Sequence, residues 1–153
     1  MTPAEVAAVA YGDTDHADLS GITEELILLV SGERLVPVVG QALYDSLLAG
    51  RYKELMTDYV APALAYGVRL RTLATDNVRC SRFGTLAPTP EGWTAAGSEA
   101  LNAVRTEVRQ RASGFLRRLS DYLVAHEDSF PEYDADNDVM NRCRIYGDFI
   151  QTR

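Results

Sequence analysis

From Thr94 or Ser98 to about His126 no proline interrupts the chain, and apolar residues return at every third or fourth position: Leu101, Val104, Val108, Ala112, Phe115, Leu119 and Tyr122. That spacing is the mark of one α-helix with a single apolar face. At ~1.5 Å per residue such a helix is about 45 Å long. This is long for a compact domain of 153 residues, so it predicts a spine or a projecting element. An apolar stripe must bury against a second element. Residues 52–75 offer one, with Leu55, Met56, Tyr59, Val60, Ala63, Leu64, Tyr66, Gly67, Leu70 and Ala74 on a broad face. The expected core sets Leu101, Val104, Val108, Phe115 and Leu119 against Met56, Tyr59, Ala63, Tyr66 and Leu70. Pro62 lies inside the second stripe, and proline lacks the amide donor of a helix interior, so a kink or break is expected near residues 58–62.

The remaining segments are read around this pair. Thr2-Pro3-Ala4-Glu5 is a helix start, with a capping threonine and a glutamate at the capping-box position, and predicts a short helix over 3–9. Tyr11 to Gly21 reads as a loop. Thr23-Glu24-Glu25 opens another helix, its acids near the positive end of the dipole. Pro37 interrupts it, and a short helix then follows to a stop at Gly50. Residues 78–93 alternate in a strand-like way around Gly84 and predict a small β-hairpin or ordered loop. Val139 to Tyr146 is read as a short helix, with 148–150 extended. The expected fold is mainly α: a helical bundle with one long helix in its C-terminal half, a small β-element and an extended C-terminal tail. It forms one domain over 1–153, with a helical core of about 22–126 and a flexible tail of about 127–153. Weakest order is expected at 13–20, 84–92 and 134–153.

The net charge of −7 is unevenly spread. Residues 1–33 carry Glu5, Asp13, Asp15, Asp18, Glu24, Glu25 and Glu33 with no base, and the rest of the chain sums to zero. A second acidic run, Glu127 to Asp138, holds six acids and no base. An acidic chain disfavours wrapping around nucleic acid. No aliphatic run approaches the ~20 residues that span a bilayer, and no basic residue precedes Arg34, so neither a membrane segment nor a secretory signal is expected. His16 and His126 stand alone, and Cys80 and Cys143 have no metal-ligand spacing. Asp134-Ala135-Asp136-Asn137-Asp138 begins like a calcium loop but has Val139 where the turn glycine belongs. There is no glycine-rich phosphate loop and no nucleophile motif. No catalytic residue, cofactor or metal is therefore expected, and the chain reads as a non-enzymatic protein; a carboxylate-pair enzyme is the weakest alternative.

Arginine outnumbers lysine fourteen to one. On the long helix, Arg105, Arg109 and Arg117 share a face. One reading is a solvated surface with local pairs such as Glu107 with Arg111. The other is a contact face for an acidic partner, with another copy of the chain as the candidate, through Glu24 and Glu25. An acidic end and an arginine face on one molecule suit head-to-tail association, which closes into rings when the rotation permits.

Leu35-Val36-Pro37-Val38-Val39-Gly40-Gln41-Ala42-Leu43-Tyr44, then Tyr59-Val60-Ala61-Pro62-Ala63-Leu64-Ala65-Tyr66, and later Phe130-Pro131-Glu132-Tyr133, resemble an uncharacterised family of tailed-phage and prophage genomes. That family is similar in length and layout to the helical head–tail connector, or neck adaptor, proteins of tailed phages. The resemblance implies helices, a β-hairpin, a mobile tail and assembly as a ring. The implied partners are other copies of the chain, a portal protein and tail or stopper proteins, with DNA passing through without specific binding. The implied location is the host cytoplasm during assembly and then the virion neck. Pro37, Gly40 and Pro62 are structural turn and kink residues, so they argue fold before function. The alternative is a helical scaffold or regulatory module that binds a single protein partner.

Overall fold

A computed structural model of the chain describes residues 1–12, 21–73, 79–81, 84–86, 98–146 and 149–152. The protein is mainly α. Helix α1 spans Pro3–Tyr11 and opens with the expected capping box: the Thr2 hydroxyl accepts from the Glu5 amide at 3.3 Å, and the Glu5 carboxylate accepts from the Thr2 amide at 2.8 Å. Helix α2 spans Glu24–Val30, capped by the Thr23 hydroxyl. The chain then stays helical through a π-helical turn, Ser31–Leu35, into α3, Val36–Val39. Helix α4, Gln41–Leu48, follows. Helix α5, Lys53–Leu55, a second π-helical turn, Met56–Val60, and α6, Ala61–Thr72, run on without a gap. Strands β1, Arg79–Ser81, and β2, Gly84–Leu86, pair antiparallel with Ser81 opposite Gly84. The long helix α7 covers Ser98–Ala125, and α8 covers Val139–Arg142. Strands β3, Cys143–Tyr146, and β4, Phe149–Thr152, close the described chain as a second antiparallel pair.

Neither proline breaks its helix. Each sits two residues beyond a π-helical turn, and in each case the residue just before the proline donates its amide five residues back: Val36 to the Ser31 carbonyl and Ala61 to the Met56 carbonyl. A proline ring in a regular helix collides with the carbonyl four residues earlier. The widened turn displaces that carbonyl and admits the ring, so the expected interruption at Pro37 and break near 58–62 become π-turns. The true corner is Gly40. Its φ of 78° and ψ of 157° belong to glycine, and the helical segments on its two sides, Glu24–Val39 and Gln41–Leu48, differ in direction by 120°. Among the described residues no single helix is long and apolar enough to cross a membrane.

Helix α6 lies between two buried clusters. One joins Val6, Ala10, Ile27 and Val30 to Leu64, Ala65 and Val68. The other joins Leu35, Val39, Leu43, Leu55 and Val60 to Leu116, Leu119 and Leu123 of α7. The pairing of the two long stripes is seen in the stacking of Tyr66 on Phe115 at 5.2 Å and of Tyr59 on Tyr122 at 4.1 Å. Two expectations are corrected. Leu101 and Val104 are not in the core: they are 39% and 42% exposed, while Val108 and Ala112 further along the same stripe are buried. The segment after residue 127 does enter the core: Phe130, Tyr133 and Ala135 join the α7 cluster, and Asp138 and Asn141 are buried.

Polar contacts fix that segment. The fully buried Asp138 carboxylate accepts from the Ser120 hydroxyl, the Tyr133 hydroxyl at 2.7 Å and the Met140 amide at 2.7 Å. Burial, and then the bond to this carboxylate, push the Tyr133 phenol well above its usual range. Glu132 accepts from Tyr52 at 2.8 Å, Ser46 at 3.0 Å and Arg51 at 3.0 Å. Among the described residues Tyr52 is the non-glycine residue in the left-handed region, at φ 54°, and its ring meets Phe130 edge-on at 5.0 Å. The bond from Tyr52 holds the Glu132 carboxyl below the usual carboxylate range. The acidic run of 127–138 is thus not one solvated strip, since Glu132 and Asp138 are structural acceptors. The stretch resembling a calcium loop is a local turn, with Asp134 accepting from the Asp136 amide at 3.0 Å and from the Asn137 side chain. Helix α8 ends at Arg142, four residues short of the expected Tyr146, and the chain continues as β3.

Candidate functional site

Helix α2 separates two surface grooves. On one side Leu26, Val30 and Glu33 face α6 and α7 across a cavity of about 770 Å³ whose rim carries Arg34, Arg71, Arg105 and Arg109. Four guanidinium groups thus face one carboxylate, Glu33, which pairs with Arg71 at 3.5 Å. Arg34, Arg105 and Arg109 make no ion pair among the described residues. Gly67 forms the floor. A Cβ there would come within 3.1 Å of Val30 Cγ1, so the absence of a side chain lets Val30 of α2 pack closely on α6, with the Arg34 stem beside it. Guanidinium forks at a half-open surface suit carboxylate or phosphate groups.

On the opposite side of α2, Glu24, Ile27, Leu28 and Ser31 face Tyr44, Leu47 and Leu48 of α4 and Met56, Val60 and Leu64 beyond, around a cavity of about 230 Å³. The Ser31 hydroxyl donates to the Ile27 carbonyl at 2.8 Å, so its polarity is satisfied within the helix, and apart from Glu24 and the Tyr44 hydroxyl the side chains of the lining are apolar. Leu28 and Leu48 are each 62% exposed on its rim. Glu24 stands at the helix start beside this groove, and Glu25 is exposed next to it.

The expected arginine face divides. Arg105 and Arg109 remain exposed and line the charged groove. Arg117 turns into its own chain and donates to the Met140 carbonyl at 3.0 Å. Arg111 pairs with Glu107, as the i,i+4 spacing predicts, and donates to the Tyr66 hydroxyl at 3.2 Å. Arg118 lies over the Tyr59 ring at 4.8 Å. Glu24 and Glu25 do not meet Arg105 or Arg109 within one copy by any ion pair among the described residues. Pro37, Gly40 and Pro62 shape the helices and line neither groove. Sequence reasoning missed Arg34 and Arg71. They come from different helices, and a stripe read along one helix has no means of adding them; the near absence of lysine was the available signal. Among the described residues no group of three or more His, Cys, Asp or Glu side chains could hold a metal ion.

No curated protein and no solved structure matches this chain. A family match covers residues 32–142, from the first π-turn to the end of α8 and more than two thirds of the chain. It therefore takes in Phe130, Tyr133 and Asp138 along with the α6–α7 pair. The chain belongs to the family described as "Family of unknown function (DUF6712)".

Proposed function

We propose that this chain is a ring-forming structural adaptor of a tailed phage or prophage, seated between portal and tail, with no catalytic role. The observation that carries the reading is the segregation of charge. An arginine-rimmed groove lies on one side of α2, while Glu24 and Glu25 stand exposed at the start of that helix, within a stretch of residues 1–33 that holds seven acids and no base. A molecule carrying both signs on separate surfaces is suited to head-to-tail association, and such contacts close into rings when the rotation permits. The resemblance of Pro37 to Tyr44, Pro62 to Tyr66 and Phe130 to Tyr133 to a phage family supports the portal and tail as the other partners.

The test is to mix the purified chain with the portal protein of the phage or prophage that encodes it and view the product by negative-stain electron microscopy. A ring of this chain on the portal, and its presence in purified particles by mass spectrometry, are the expected results. A chain that ignores the portal and is absent from particles overturns the reading. Assembly through the charged surfaces weakens with salt, because the Debye length falls from ~10 Å at 0.1 M to ~3 Å at 1 M.

A further inference from the structure

We infer that the apolar groove between α2 and α4 is the seat for the exposed N-terminal turns of α7 from a second copy of the chain. This rests on the adaptor reading and names the surfaces that would build the ring. Leu101 and Val104 continue the apolar stripe that Val108, Ala112 and Leu119 bury lower down the same helix, yet they lie open. An apolar helix face of this kind normally meets an apolar groove, with anchors spaced by one helical turn. The chain offers such a groove, with Leu28 and Leu48 open on its rim.

Charge and spacing match as well. On the donor side Arg105 lies one turn after Leu101. On the acceptor side Glu24 lies one turn before Leu28. Each separation is about 6 Å along its helix. Antiparallel seating of α7 against the neighbour's α2 therefore places Leu101 on Leu28 and brings Arg105 to Glu24, with Arg109 one turn further on, past the helix start. The donor arginines and the acceptor groove lie on opposite sides of α2 within one copy, so the contact joins different copies. It is heterologous, and an open oligomer of any length keeps one free donor and one free acceptor until the ring closes.

The test uses full-length protein with Cys80→Ser and Cys143→Ser, its fold checked by helical circular dichroism and denaturation midpoint. One preparation carries Ala49→Cys beside Leu48, and a second carries Asn102→Cys beside Leu101. Mixed at high concentration in low salt and treated with a bismaleimide, they should give a cross-linked pair, while either alone gives little. A chain carrying both cysteines should give a ladder. Leu28→Asp or Leu101→Asp, still folded, should cut the mixed product at least tenfold. Absence of the mixed product, or a predominance of like-with-like pairs, overturns the groove assignment. If the cross-link fails while the chain still rings on the portal, only this assignment falls. If the cross-link forms and the portal is ignored, the copies meet as described and the adaptor reading falls.

Discussion

The two halves of α7 share one apolar period and have opposite fates. Toward its C-terminal end Ala112, Leu116, Leu119 and Leu123 are buried, covered by α6, the second π-turn and the segment from Phe130 to Asn141. Toward its N-terminal end Leu101 and Val104 are exposed beside Arg105. The arginines divide in the same way: Arg111, Arg117 and Arg118 are spent on contacts within the chain, and Arg105 and Arg109 are open. A helical stripe records that a helix has a face to cover. It does not record whether the covering comes from the same chain. Here the lower half is buried within the chain, and the upper half is left exposed.

The largest test of this contrast is truncation. Ending the chain before Phe130 removes the cover of the lower half, with Phe130, Tyr133 and Asp138, and should abolish cooperative unfolding. Ending it after Arg142 should leave a cooperative transition. Calorimetry of both truncated chains checks this, and a cooperative transition in the shorter chain would show that the segment merely rests on α7. The next effect is smaller. Leu119→Ala should cost about 2–5 kcal/mol, as large-to-small changes in packed cores do. Leu101→Ala should stay within about 0.5 kcal/mol. Equal shifts in denaturation midpoint would erase the distinction between the halves.

Asp138→Ala sharpens the comparison from the polar side. It leaves the buried Ser120 hydroxyl without this acceptor and removes that of Tyr133, which should cost about 1–3 kcal/mol. Urea titration reads it, and an unchanged midpoint would mean that the lower half does not depend on this anchor. The smallest effect is the pH dependence of Glu132. Its carboxyl is held low chiefly by the Tyr52 hydroxyl, so the charged form is favoured in the folded state. The stabilisation is complete above the ordinary carboxylate range and is lost as pH falls through the lowered folded value. Glu132→Gln should therefore lower stability slightly at neutral pH, match the parent chain at low pH and flatten the acid limb between them; an acid limb that keeps its slope would assign it to other carboxylates.

Much of the fold was legible because it is local. The Thr2 and Thr23 caps, the extent of α7 and its pairing with the stripe of residues 52–75 follow from side chains a few positions apart. Proline sterics are local too and predict an interruption at Pro37 and a kink or break near Pro62, while the π-turns that admit both prolines depend on how the whole helix is held. Residues 127–142 were read as a tail because acids and loop formers hide three core residues among them; only the placement of Ser120 and α7 turns Asp138 from a solvent-facing charge into a buried acceptor. Of the candidate surface, the sequence showed Arg105, Arg109, Glu24 and Glu25 and the sign of their charges. It could not show that Arg34 and Arg71 join the first pair, that Arg117 leaves it, or that an apolar groove opens beside Glu24. Periodicity and capping are set by neighbours along the chain, and so the sequence alone determined the helices and their apolar faces. Which part of a face is covered depends on elements far apart in the chain meeting in space, and that was decided only by the tertiary structure.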